Sequence, residues 1–222
     1  MQLDKLCVAC FSPTHTSMKI ARAIADGTHI ARREEIDLTT DPADTPISVR
    51  NAICIVAAPV YGGLVAPVAV RRIARLRAEN SIAIPVVVYG NRDYEDALVQ
   101  LRDLLYAQGF TPLCGAAFVG EHSYSRPGMP VAEGRPDAAD LQKAAAFGAQ
   151  AYGSLLRDPH YMGLVLIGGC AMAGFFVYLA GSPFVLINYY GLSSTQYSMA
   201  FALNSIAFIA AAQFTGRLGQ RF

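Results

Sequence analysis

Three runs in the first two thirds of the chain, 6–11, 52–58 and 82–89, are almost wholly apolar. A strand of that kind is buried on both faces, as in a parallel sheet covered by helices. Weaker runs at 35–38 and 112–119 predict two further strands. Between the strands the apolar spacing changes to that of a helix. Residues 17–26 place Ile20, Ala21, Ile24 and Ala25 on one face, and Gly27 ends the pattern. A second helix is predicted over 67–79 with Val70, Ile73 and Leu76 inward, and a third over 94–108, closed by Gly109. A loop with Gly, Pro and Ser then runs to Pro136, where Asp137 caps a last helix reaching about residue 156. Strand–helix alternation of this kind predicts an α/β domain over 1–157, with a doubly wound, five-stranded parallel sheet.

Beyond residue 157 the pattern changes. Of 18 Lys and Arg and 17 Asp and Glu in the chain, only Asp158, Arg217 and Arg221 lie there, and 161–216 holds no charged side chain or histidine. Segments ~162–187 and ~195–215 are each long enough to cross a bilayer, since about 20 apolar residues span its hydrocarbon core. The tyrosines of "NYYGLSS" between them suit an interfacial loop. The expectation is a transmembrane helical hairpin over 158–222. Arg157 before it and Arg217 and Arg221 after it place both ends, and the α/β domain, on the cytoplasmic side of the inner membrane. Asn204 and Gln213 are polar within the second span and are expected to face protein rather than lipid.

A net charge of +1 gives no footprint for nucleic acid. Cys7 and Cys10 form a CxxC, but a spacing of three on a strand sends the two thiols to opposite faces. A redox or metal pair needs them together, so the five cysteines read as small buried hydrophobes in a reducing compartment. The N-terminus has no signal-peptide pattern, because Asp4 and Lys5 interrupt it.

In a doubly wound sheet, ligands sit beyond the carboxyl ends of the strands near the switch point, so the loops after strands one, three and four carry the chemistry. After strand one, Ser12, Thr14, Thr16 and Ser17 crowd six positions before a helix. The helix start offers unpaired amides and partial positive charge. Hydroxyls on alternating residues can converge on one anion, and no Lys or Arg lies between Phe11 and Lys19. The GxxxxGK[ST] and GxGxxG patterns are absent, which favours a single monophosphate over a triphosphate or dinucleotide. The plainer alternative is a helix cap, for which one hydroxyl suffices. After strand three, "AAPVYGGLVAP" offers the ring of Tyr61, with Gly62 and Gly63 allowing close backbone approach. After strand four, "YGNRDYEDA" offers Tyr94 as a second ring. Two such rings could sandwich a planar heterocycle; alternatively the glycines form a plain turn and Tyr94 packs at a helix start.

These segments resemble the flavodoxins. "FSPTHTSMKIA" is similar to their phosphate loop, "APVYGG" to the first flavin loop and "YGNRDYEDAL" to the second. The nearest variant is the flavodoxin-like domain often joined to a ferredoxin module, whose terminal helix "GRPDAADLQKAAAFG" resembles. The likeness covers about 3–155. It implies strand order 2-1-3-4-5, non-covalent FMN, and electron transfer with a redox partner protein such as a ferredoxin or a reductase. It further implies that Ser12, Thr14, His15, Thr16 and Ser17 form the phosphate loop. Pro59, Val60, Tyr61, Gly62 and Gly63 would line one side of the flavin, with Gly90, Asn91, Asp93 and Tyr94 on the other. His15 stands where many relatives have glycine, so its backbone is expected to avoid strain. No cysteine cluster for an iron–sulfur centre follows Cys114. Glu121 and His122 are the acid–base candidates after strand five, but no defined substrate pairs with them, which favours an electron carrier. Residues 156–222, by contrast, resemble the seventh and eighth helices of bicyclomycin-resistance-type drug/proton antiporters of the major facilitator superfamily. The alternative function is accordingly a drug-efflux-derived membrane protein or fragment, with the flavodoxin-like domain as fusion partner and other membrane helices as partners.

Overall fold

The computed structural model describes residues 3, 5–40 and 44–218. The chain divides into two compact units, 1–165 and 166–222.

The first unit is built on strands β1 (Lys5–Cys10), β2 (Arg33–Asp37), β4 (Ala52–Tyr61), β7 (Ile82–Tyr89), β8 (Thr111–Pro112) and β9 (Ala116–Val119). Two short parallel strands, β3 (Ile47–Arg50) and β6 (Leu76–Glu79), form a separate pair, and β5 (Leu64–Val65) folds back on the end of β4. The main sheet is parallel in the order β2-β1-β4-β7, with β8 and β9 both against β7. Counting β8 and β9 as one interrupted strand, this is the 2-1-3-4-5 order implied by the flavodoxin resemblance.

Side chains alternate between two cores. Cys7, Ala9, Cys54, Val56 and Ala58 face helices α2 (Pro67–Ile73) and α3 (Ala97–Ala107). Leu6, Val8, Cys10, Ile53 and Ile55 face α1 (Thr16–Gly27) and α4 (Ala138–Arg157). Cys7 and Cys10 thus lie on opposite faces, as the strand period requires. The thiol neighbour of Cys7 is instead Cys54, its register partner on β4.

Helices α1 and α4 approach closely at two glycines. A Cβ on Gly27 would collide with the Ala145 carbonyl, and one on Gly148 with the Ile24 carbonyl. Helix α4 starts with a reciprocal cap: Asp140 N donates to Asp137 Oδ1 at 2.9 Å, and Asp137 N donates to Asp140 Oδ2 at 3.0 Å. The expected helix over 67–79 stops at Ile73, because Leu76–Glu79 pairs with β3 instead. The third helix begins at Ala97, three residues late, because Asp93 Oδ1 accepts from the amides of Tyr94 and Glu95 and holds a turn there.

In the second unit, α5 (Pro159–Pro183) passes into a π-helical stretch at Phe184–Tyr189, and α6 (Ser194–Leu218) follows the turn at Gly191. Tyr178 stacks on Phe201 at 6.1 Å, and about one turn later in α5 and one turn earlier in α6 Ser182 Oγ meets Tyr197 OH at 3.1 Å. These pairings make the two helices antiparallel. Large apolar side chains such as Phe176, Val177 and Leu203 are exposed. Among the described residues one helical stretch, Val165–Tyr189, is long and apolar enough to cross a membrane, with mean hydropathy 1.9. The second expected span lies in α6, where the side chains beyond Ile209, Gln213 included, fall outside the described ones. Asn204 is exposed.

Candidate functional site

The carboxyl ends of β1, β4, β7 and β9 open on one cleft of about 570 Å³. It sits where the strand order reverses between β1 and β4, the position doubly wound sheets reserve for ligands. Its volume is that of a small-molecule site.

One wall is the loop from β1 to α1. Thr14, Thr16 and Ser17 line it, and the Thr14 and Thr16 hydroxyls lie 3.0 Å apart. Ser17 is fully buried and its Oγ has no hydrogen-bond partner. A buried hydroxyl without a partner costs about 1–3 kcal/mol, so it marks a place for a ligand oxygen. The helix end beside it is open at its first two amides. No side chain of His15, the N-cap residue, bonds it, and its first turn has no acid. The His15 amide donates to the Ser12 carbonyl at 3.1 Å and the Met18 amide to Ser12 Oγ at 3.1 Å. The Thr16 and Ser17 amides have no acceptor among the described contacts.

Ser12 therefore does not share the cleft with the other three hydroxyls. It is buried, its Oγ caps α1, and its amide donates to Thr39 Oγ1 at 2.8 Å. His15 is exposed and does not line the cleft. Nor does its backbone avoid strain: φ is 62°, in the left-handed region. Behind the loop, Arg72 lies over the Phe11 ring at 5.5 Å and donates to the Leu38 and Thr39 carbonyls. Thr39 also donates its amide to Asp37 Oδ1 at 2.7 Å. Burial works against the charged form of Asp37, but this bond and the threonine hydroxyls hold its carboxyl below the usual range. Burial, with the Asp37 charge adding, pushes the Cys10 thiol up to about 12, so it is no thiolate at neutral pH.

A second wall is the end of β4, with Pro59, Val60, Tyr61 and Gly62. Gly62 and Gly63 are the two central residues of the β4–β5 hairpin, with φ of 61° and 82°, the pair of positive angles a type I′ turn needs. Gly62 has open space around it. Gly63 is buried against the Glu95 carboxylate and does not line the cleft.

The end of β7 supplies Val88 and Tyr89, and the loop after it Gly90 and Arg92. The remaining residues expected on this side lie elsewhere. Asn91 borders a neighbouring cavity, Asp93 caps its own turn, and Tyr94 packs on Tyr89 at 5.4 Å and on the α2/α3 core. The second exposed ring in the cleft is instead Tyr124, from the loop after β9, with Gly120, Glu121, His122 and Ser123. The sequence signal for this wall was the loop's length; its register on the cleft was not encoded in any local pattern.

That loop is held in place. The Gly120 amide donates to Tyr89 O at 2.9 Å, the Glu121 amide to Arg135 O at 2.9 Å, and the Gly134 amide to Glu121 Oε2 at 3.2 Å. Arg135 in turn grips Asp140 with two of its guanidinium nitrogens, which holds the Asp140 carboxyl below the usual carboxylate range. His122 Nδ1 accepts from the Tyr124 amide at 3.0 Å, so in the neutral ring the proton sits on Nε2. No group of His, Cys, Asp or Glu among the described residues could hold a metal ion.

No protein family model matches the chain. An uncharacterised MFS-type transporter of Bacillus subtilis strain 168, YdgK, is 40% identical over 67 residues, which is 30% of this chain and 17% of the transporter. Among solved structures, the chain is similar to the rubredoxin oxygen:oxidoreductase of Desulfovibrio gigas, with 16% identity and a TM-score of 0.47 over 70% of this chain and 37% of that one. It is similar to oxidised flavodoxin 1 of Bacillus cereus, with 16% identity and a TM-score of 0.47 over 66% of this chain and 96% of that one. A flavodoxin from the domain Archaea gives 13% identity and a TM-score of 0.42 over 68% and 98%. The chain thus spans about a sixth of the curated relative and just over a third of the D. gigas protein.

Proposed function

We propose that residues 1–157 form an FMN-binding electron-transfer domain, and that 158–222 anchor it to the cytoplasmic membrane. The observation that carries the first part is the buried, unpartnered Ser17 hydroxyl at the open start of α1, beside the Thr14–Thr16 pair. A phosphate monoester fits this donor set, because hydroxyls and amides donate to it and the helix end favours its charge. Thr14, Thr16 and Ser17 would hold the phosphate. Pro59, Val60, Tyr61 and Gly62, with Tyr89, Gly90 and Tyr124, would hold a flat ring system. FMN bound there would supply one- and two-electron redox chemistry. The chain's own part is to orient the group, to exclude water with Val60 and Val88, and to present an open rim to a redox partner protein such as a ferredoxin or a reductase. The test is the absorption spectrum of the full chain purified in detergent and reconstituted with FMN. Flavin bands that survive dialysis, and are lost in the Thr14→Ala, Thr16→Ala double variant, support the reading. A colourless protein contradicts it.

Membrane attachment rests on Val165–Tyr189, on its exposed apolar side chains and on the absence of charge from 161–216. Arg157, Arg217 and Arg221 favour a cytoplasmic position for both ends and for the flavin domain. Exposed Asn204 suits a further membrane helix as neighbour. Retention in membranes after an alkaline carbonate wash supports attachment, and release into the supernatant contradicts it.

The 40% identity with an MFS-type transporter favours a second reading, in which the helical segment derives from a drug-efflux protein and the flavodoxin-like domain is its fusion partner. Two helices cannot enclose a pathway, so transport would need helices from partner chains. Purification from native membranes without any co-purifying membrane protein counts against it.

A further inference from the structure

We propose that the loop after β9 builds a second binding site beside the first, a lobe for a small aromatic molecule carrying a carboxylate, sulfonate or phosphate. The connection from β9 to α4 covers 120–137, 18 residues without a helix or strand of its own. Loops of that length in a compact fold are usually functional, all the more when their own contacts order them. Here His122 N donates to Val131 O at 3.1 Å and Val131 N to Ser125 Oγ at 3.3 Å. Arg126 and Met129 face each other in a bridge across Pro127–Gly128, which sends their side chains to the same side.

Folded this way, the loop and the end of β7 border an open depression of about 440 Å³. It is continuous with the cleft, because Gly90, Arg92, His122 and Tyr124 line both. Two guanidinium groups, Arg92 and Arg126, face this lobe, and no acid is among its lining residues. Arg92 also pairs with Glu95, at 3.4 Å. Guanidinium groups bind planar oxyanions through paired N–H donors, the geometry of carboxylate, sulfonate and phosphate. Between the arginines the lobe offers apolar area. Tyr124 is 72% exposed and Met129 71% exposed, and both lie on its wall. The Tyr124 ring is held against His122 at 5.1 Å, so a flat face is already in position. Two arginines, an aromatic ring and a thioether on one lining specify an anionic aromatic guest. The lobe's volume is in the range of a small-molecule site.

The lobe's place beside a redox group rests on the proposed function; its binding chemistry does not. The test uses the full chain in detergent and anthraquinone-2-sulfonate as probe, followed by calorimetry. Saturable binding is expected. It should weaken at least about fivefold in Arg92→Gln, Arg126→Gln and in Tyr124→Ala, and stay unchanged in Thr14→Ala, Thr16→Ala. The uncharged parent anthraquinone should bind at least about fivefold more weakly than the sulfonate. No saturable binding, equal binding to the arginine variant, or loss of binding in the threonine variant would each overturn the proposal. Sulfonate binding that persists in a chain unable to retain FMN would sustain the lobe and remove the flavin reading.

Discussion

The imidazole of His122 occupies the space where a side chain on Gly90 would begin. The segments that follow β7 and β9 meet at that contact, and both residues line the cleft. The backbone of Gly90 is not in the left-handed region, so alanine meets only the ring. Gly90→Ala is expected to displace His122 and lower FMN affinity by about tenfold, with global stability changed by less than about 1 kcal/mol. Fluorescence titration and chemical unfolding read the two effects separately.

His15 is the next test, because its φ of 62° is a conformation that L side chains pay to adopt. A β-branched residue tolerates it worst. His15→Val should destabilise by about 1–2 kcal/mol, and His15→Gly should be neutral or stabilising. Urea unfolding of the two variants gives the contrast. If His15→Val matches the parent chain, the left-handed assignment is wrong.

The α1–α4 crossing predicts opposite outcomes for two glycines on one helix. A Cβ at Gly148 meets the Ile24 carbonyl, so Gly148→Ala should cost about 1–3 kcal/mol by forcing the helices apart. Gly153 has nothing within 4 Å, so Gly153→Ala should stabilise by about 0.5–1 kcal/mol through helix propensity. Thermal unfolding distinguishes them.

Which of these features could be read from the chain follows from how local their causes are. The apolar runs of β1, β4 and β7 need no context, because burial on both faces writes itself into consecutive residues. The cap at Asp137 is equally local. Leu76 was inward in either reading, but a helical and a strand placement of 76–79 differ only by pairing with β3, a contact made 29 residues away in sequence. Ser12 and Ser17 are both hydroxyls in one loop. Only the left-handed turn at His15 decides that the first caps the Met18 amide alone and the second is left without a partner. Tyr124 stands in the cleft in place of Tyr94 for a similar reason. The turn capped by Asp93 delays α3 and packs Tyr94 on Tyr89, while distant bonds from Arg135 and Tyr89 fold the loop of Tyr124 over the cleft.

Acid sensitivity follows from Asp140. Its carboxyl, bonded by Arg135, titrates below the usual carboxylate range when folded. A group with a depressed folded pKa stabilises above its unfolded value, about 3.9, and that contribution is lost as pH falls through the folded value. The chain should therefore lose stability on acidification below about pH 4. Asp140→Asn should be less stable at neutral pH, by about 1 kcal/mol for the capping box alone, and should show a shallower acid limb. Glu35, held low by its bond to Arg22, keeps part of the acid limb in the variant. Circular dichroism melts from pH 7 to pH 2.5 measure this.

The account's central claim is that Thr14, Thr16, Ser17 and the open start of α1 grip a phosphate without a Lys or Arg in their loop. The most direct measurement is the ratio of dissociation constants for riboflavin and FMN, which differ only by that phosphate, on the full chain and on Thr14→Ala, Thr16→Ala. The account predicts that the parent chain binds FMN at least about a hundredfold more tightly than riboflavin, and that the ratio falls toward one in the variant. Equal affinities in the parent chain, or a preference for FMN that survives loss of both threonine hydroxyls, would contradict it.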